Sequence, residues 1–275
     1  MAEAEPKSLA GKRIVITRSA MQSEAIAREL SARGAIPVVL PLVAFAAPEV
    51  FGPLDKALDQ IDHFDWLILT SAQAVRAIAE RAFAVQGILL RPGSGLRVAC
   101  VGPVTAEAAR NANLPLEYVA STHSGVALAN ELGSRLQGTR ILLPRSDRAN
   151  PDLPVALKRH GAQVTEVIAY RTLRPTAVDE RNLRQIADGK VDAVLFFSPS
   201  AVHHFAELAG GEQLRGLQDK LAITAVGPVT ANALREAGVS RAVVAADTSA
   251  AAVIEALEKY FAGVSKTAQA GAKKV

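Results

Sequence analysis

The side chains best placed for chemistry in this chain are hydroxyls at repeated, glycine- and proline-marked positions. The hexapeptide Val-Gly-Pro-Val-Thr-Ala occurs at 101–106 and again at 226–231. Each copy follows an apolar run and precedes a helix-like stretch, so Thr105 and Thr230 fall where a strand ends and a helix begins. Thr70-Ser71, Ser121-Thr122-His123-Ser124, Arg145-Ser146, Arg18-Ser19, Ser198-Pro199-Ser200 and Thr248-Ser249 occupy the same kind of junction. Helix N-termini offer unpaired N–H groups and partial positive charge, and open parallel sheets bind ligands beyond the carboxyl ends of their strands. The hydroxyls can simply cap those helices, with Pro103 and Pro228 at first-turn positions that need no N–H. Capping does not require the same Gly-Pro-Val-Thr edge twice, however. Two such edges suit an extended anionic ligand held by backbone amides.

Tyr170 is one of only three tyrosines and stands in Val167-Ile168-Ala169-Tyr170-Arg171-Thr172. Its hydroxyl could serve as a weak acid or hydrogen-bond donor, and its ring could equally pack on a chain crossing. Other chemistry finds no template. His63, His123, His160, His203 and His204 have no His, Cys or paired acids at ligand spacing, so a surface role is expected for them and no metal site. There is no phosphate-loop lysine motif, no Gly-x-Gly-x-x-Gly after a strand and no Gly-x-Ser-x-Gly elbow, and no cofactor is expected. The single cysteine, Cys100, lies inside an apolar run and reads as a buried structural thiol.

The elements that must position these residues are short β-branched runs alternating with helix-length segments, the pattern of a parallel sheet covered on both faces. Ten strands are expected, at 13–17, 36–40, 66–70, 97–101, 116–120, 140–143, 164–168, 193–197, 222–226 and 242–246. Thr248 or Ser249 should cap a final helix that runs to Phe261. The repeat extends beyond the hexapeptide: 11–19 parallels 138–146 and 64–71 parallels 191–198, at an offset of 127. The fold class expected is therefore α/β, with two domains, each a parallel five-stranded sheet covered by helices, related by internal duplication and facing each other across a cleft. The unit beginning at Trp66 holds all five strand types, whereas its counterpart beginning at Ala193 lacks two, which 13–40 supply. One domain thus comprises 10–40 plus 173–262, and 41–172 is inserted into it. Segments 1–9 and 263–275 are expected to be flexible tails, and two crossings of the chain, 41–48 and 169–175, are expected side by side as the hinge.

A length of 275 residues with 49% apolar composition is enough for two modest cores. The formal charge of +4 falls to +1 without the three lysines after Gly263, and aromatics are few. That balance argues against nucleic-acid binding, which needs a dense basic face. The first residues have no apolar core of a signal peptide and no run is long enough to span a bilayer, so a cytoplasmic protein without membrane contact is expected. No helix shows a second apolar stripe, and a monomer is the default.

Taken in order, these residues resemble the uroporphyrinogen-III synthase family. The likeness rests on Ile16-Thr17-Arg18, Leu69-Thr70-Ser71 followed by Ala74-Val75, both Val-Gly-Pro-Val-Thr-Ala copies, Leu143-Pro144-Arg145, Ala169-Tyr170-Arg171-Thr172 and 196–202. It covers roughly 12–261 and departs from the usual pattern at 146–151. The resemblance implies two flavodoxin-like or Rossmann-like domains on a two-stranded connector, and a cofactor-free lyase that closes hydroxymethylbilane with inversion of its last ring. It further implies Tyr170 as the acid or orienting group for the leaving hydroxyl. Thr105, Thr230, Ser71, Ser198 and Ser200 would be carboxylate-binding hydroxyls, with Arg18 and Arg145 as carboxylate partners by position. The competing readings are a non-catalytic two-domain binder of a small anion and a flavodoxin-like FMN protein. The latter is disfavoured because Trp66 and Tyr118 both fall within strands.

Overall fold

The computed structural model describes residues 8–86, 95–122, 124–246 and 249–272. His123, Thr248 and the outermost parts of both expected tails lie outside them. The β-branched runs form strands: β1 (Arg13–Ile16), β2 (Ile36–Val39), β3 (Ala44–Ala46), β4 (Trp66–Leu69), β5 (Arg97–Cys100), β6 (Leu116–Val119), β7 (Arg140–Ser146), β8 (Gln163–Leu173), β9 (Ala193–Phe196), β10 (Ala222–Val226) and β11 (Val243–Ala245). All ten strands expected from the sequence are present, and β3 is additional.

The chain divides into two compact units. One is continuous, Phe45–Thr172, and the other is discontinuous, ending at Ala44 and resuming at Leu173. The discontinuous unit holds a sheet in the order β11-β10-β9-β1-β2, and the continuous unit one in the order β3-β8-β7-β4-β5-β6. Every pairing among β1, β2 and β4 to β11 is parallel. The second sheet therefore has six strands where five were expected. The extra one, Ala-Phe-Ala beside β8, is too short and too small in its side chains to stand out by composition.

Burial on both faces explains why the strands read as continuous apolar runs. Val15, Val194, Phe196, Ile223 and Ala225 point into one cluster, while Ile14, Ile16, Ala193, Leu195 and Val226 point into another on the opposite face. In the continuous unit Leu67, Leu69, Val98, Cys100 and Leu142 alternate in the same way with Trp66, Ile68, Ala99, Ile141 and Leu143. Successive side chains of a strand point to opposite faces, so one sheet needs a helical layer on each side. Val253, Ile254 and Leu257, on one face of the helix Ala250–Ala272, supply part of that layer. Ser249 caps this helix, its Oγ accepting from the Ala252 N–H at 3.2 Å.

Three expectations need correction. The final helix does not stop at Phe261 but continues to Ala272, because the alanine-rich stretch that follows carries no proline to end it. Leu9 is not part of a loose tail. It is fully buried and its N–H donates to the Arg33 carbonyl, since its apolar side chain completes the cluster under β1. His204 is not on the surface: it is 1% exposed, with Nδ1 2.6 Å from the Leu42 carbonyl oxygen. His203, one residue earlier and about 100° away around the helix, is exposed.

Candidate active site

The carboxyl ends of the strands carry the residues singled out by sequence. In the continuous unit Ser71 follows β4 and opens the helix Ala72–Gln86, its Oγ accepting from the Ala74 N–H at 3.1 Å. The same Oγ lies 3.1 Å from the Tyr170 hydroxyl. β7 separates β4 from β8, so strands spaced about 4.8 Å apart put these two residues roughly 10 Å apart at the backbone. The tyrosine ring must lean across β7 to reach the serine. Phe45, on β3, meets that ring edge-on with centroids 5.5 Å apart. The ring is thus fixed on one side by an aromatic and at its tip by a capping serine.

Burial sets the state of this phenol. Tyr170 is 8% exposed, and loss of solvent is the main reason its pKa lies above the ordinary tyrosine value. The Ser71 hydrogen bond acts the other way, the Asp147 charge adds to the rise, and Arg145 lowers it. The hydroxyl therefore keeps its proton and is a neutral donor. Asp147, in the segment 146–151, is a candidate site residue that sequence reasoning overlooks. Its N–H donates to the Tyr170 carbonyl at 3.2 Å, and its Oδ1 accepts from the Thr172 N–H and from Ser146 Oγ, both at 2.9 Å. Ser146 Oγ is also 2.7 Å from Thr172 Oγ1. This network ties the end of β7 to β8 where Ser146 registers with Tyr170. A pocket of about 300 Å³, lined by Phe45, Phe51, Gln73, Glu80 and Tyr170 among others, opens beside the ring.

Arg145 is 8% exposed and already engaged. Nη1 donates to Glu166 at 2.7 Å and Nη2 to the Asn150 carbonyl, so the guanidinium braces the β7–β8 edge. Arg18 differs. It follows β1 and stacks on Phe197, which follows β9, with 4.6 Å from its guanidinium carbon to the ring centroid. Burial lowers its pKa, yet arginine stays charged at any working pH. No carboxylate pairs with it among the described residues. A partly desolvated cation held by a ring and lacking a counter-ion has the chemistry to receive an anion.

Ser198 caps the helix Pro199–Ala209 by accepting from the Ala201 N–H at 3.3 Å, and Ser200 lies half-buried in its first turn. A capping serine uses a lone pair and keeps its O–H for an outside acceptor, so capping and ligand binding do not compete. Thr105 and Thr230 are 6% and 2% exposed, which leaves their backbone amides as the groups offered by the first turns of Pro103–Asn111 and Pro228–Glu236. The two identical hexapeptides also differ in backbone. Gly102 is extended, φ −162° and ψ 169°, whereas Gly227 adopts φ 91° and ψ 163°, a region open essentially to glycine alone. Cys100, at the end of β5, is fully buried, and burial pushes its thiol up to about 12. Among the described residues, no group of three or more His, Cys, Asp or Glu side chains could hold a metal ion.

Parallel α/β sheets in two units, one interrupting the other, with a neutral tyrosine and capped helices at the strand ends, define the broad class. Comparison supplies the family. The model described as uroporphyrinogen-III synthase HemD matches residues 24–255. A uroporphyrinogen-III synthase of Synechococcus elongatus is 30% identical over 234 residues, covering 83% of this chain and 87% of its own. The chloroplastic uroporphyrinogen-III synthase of Oryza sativa subsp. japonica is 26% identical over 82% of this chain and 72% of its own. A solved uroporphyrinogen III synthase mutant from Thermus thermophilus shares the fold, with TM-score 0.63 at 23% identity over 93% of this chain and 100% of that one. The chain belongs to the uroporphyrinogen-III synthase family, and its activity is that of a lyase in porphyrin biosynthesis.

Proposed function

We propose that the strand ends of both units are the carboxylate receptors for hydroxymethylbilane, and that Tyr170 assists departure of its terminal hydroxyl. The reaction closes the linear tetrapyrrole to uroporphyrinogen III with inversion of ring D and loss of water. The substrate carries an acetate and a propionate on every pyrrole. Arg18, Ser198, Ser200 and the amides of Val229 and Thr230 would take carboxylates in one unit, and Ser71 with the amides of Val104 and Thr105 in the other. Arg145 would join them by exchanging Glu166 for a substrate carboxylate, and otherwise braces the edge that holds Tyr170.

Electron push from the terminal pyrrole nitrogen expels the hydroxyl, which takes a proton and leaves as water. The resulting azafulvene is attacked by the substituted carbon of the last ring. The spiro intermediate then fragments and recloses, and a ring proton is lost. Uncatalysed closure gives the uninverted isomer, so the protein's main contribution is to hold the folded conformation in which the inverting attack is nearer. A neutral donor at Tyr170 stabilises the departing oxygen as charge develops on it. The observation that carries this reading is the buried, protonated Tyr170 hydroxyl held against Ser71 at a strand end.

We further propose that the two units arose by duplication and are joined by a two-stranded connector through β3 and β8. Pairing strands by their repeated motifs turns the order β11-β10-β9-β1-β2 into β6-β5-β4-β7-β8, which supports the duplication. The adjacency of β3 and β8 supports the connector. The test of function is to supply enzymatically generated hydroxymethylbilane, oxidise the products and separate the isomers with and without this protein. Predominance of isomer III is expected. Isomer I alone, at the spontaneous rate, would overturn the assignment.

A further inference from the structure

We infer that the discontinuous unit carries a second anion site, for a small, multiply charged oxyanion of the phosphate class, at the opposite end of its sheet from Arg18 and Ser198. A pocket of about 450 Å³ there is lined by Arg13, Arg181, Arg184, Gln185, Asp188 and Lys190. Arg13 begins β1 and Lys190 precedes β9, which places the pocket at the amino-terminal ends of the strands. Four cations face one carboxylate, and that carboxylate, Asp188, is bound by Lys190 at 2.8 Å.

Arg181, Arg184, Gln185 and Asp188 follow the i, i+3, i+4, i+7 spacing of one helical face, so the two arginines repel each other along it. Cations in a last turn complement the helix dipole, which accounts for Arg184. It does not account for Arg181, which stands in the first turn of Glu180–Ala187, where a positive charge is unfavourable. Arg181 has no carboxylate partner among the described residues, and Arg184 meets Glu180 only at 3.6 Å between two exposed side chains. Arg13 adds a third guanidinium to the pocket, oriented by its Nη2 donating to Gln185 Oε1 at 2.6 Å. Guanidinium pairs are matched by phosphate oxygens, which accept two N–H bonds from each.

The test is calorimetric titration of the full chain with inorganic pyrophosphate, and separately with ATP, at constant ionic strength. Saturable one-site binding is expected, weakened about tenfold or more in Arg181→Ala/Arg184→Ala, the scale of one charge-assisted hydrogen bond. That variant should keep its unliganded melting temperature and its synthase activity, because both side chains are exposed and far from the strand ends that bind substrate. ATP tighter than pyrophosphate would mark a nucleotide as the ligand, and equal affinities would mark the oxyanion itself. Absence of saturable binding at millimolar pyrophosphate, or unchanged affinity in the double variant, would overturn the proposal.

Discussion

Removing one oxygen from Tyr170 separates its chemical role from its structural one. Tyr170→Phe keeps the edge contact with Phe45 and the burial of the ring, and loses only the bond to Ser71. Ser71 Oγ still accepts from the Ala74 N–H, so no buried acceptor is orphaned. The stability loss should be about 1 kcal/mol, or about 2–4 °C in melting temperature for a chain of this size. Turnover should suffer more. Positioned proton donors contribute roughly 10²- to 10⁴-fold, and a phenol whose pKa is raised by burial belongs at the weak end of that range. A fall in kcat of about 100-fold is expected, close to 2.7 kcal/mol of barrier, with KM changed by less than about 3-fold because no carboxylate contact is removed. The assay is the initial rate of isomer III formation, with spontaneous isomer I as the floor. A kcat within about 2-fold of the parent protein, with the same small loss of stability, would refute Tyr170 as the donor.

The duplicated glycines should respond unequally: Gly227→Ala must force alanine to φ 91°, ψ 163° and should cost about 1–3 kcal/mol in thermal unfolding, while the extended backbone of Gly102 imposes no such strain on Gly102→Ala. Replacing His204 by Leu leaves the buried Leu42 carbonyl without its partner and should cost about 1–3 kcal/mol, read from denaturant midpoints at unchanged m. With its thiol pushed up to about 12, Cys100 should resist iodoacetamide at pH 8 in the folded protein, since only about 1 in 10⁴ molecules is thiolate there; rapid labelling seen by mass spectrometry would contradict this. Tyr170 is protonated more strongly folded than unfolded, so its contribution to stability is complete below the ordinary tyrosine pKa and is lost as pH rises from there through the folded value. Alkaline unfolding curves of Tyr170→Phe should therefore lack part of the parent's decline in that window.

The candidate site was legible in part. Ser71, Ser198 and Tyr170 announced themselves by residue type at strand ends, where hydroxyls and a scarce aromatic stand out against apolar runs. Arg145 looked like a free cation because nothing in sequence places Glu166 beside it, and the pairing arises only from the register of β7 with β8. Asp147 falls in the stretch 146–151 that departs from the usual pattern, and the sequence alone assigns it no role. It matters through contacts with Thr172 and the Tyr170 carbonyl, which lie more than twenty positions away.

Local periodicity and β-branching were sufficient for the ten main strands and the alternation with helices, because each depends on neighbours along the chain. The short edge strand β3, the burial of His204 and the commitment of Arg145 were decided by tertiary contacts, since a three-residue strand or a single ion pair exists only when a distant partner supplies its hydrogen bonds. The glycines of the repeat make the same point most directly: six identical residues adopt two backbones at one position, because what packs around each copy, and not the hexapeptide, selects between conformations that glycine allows.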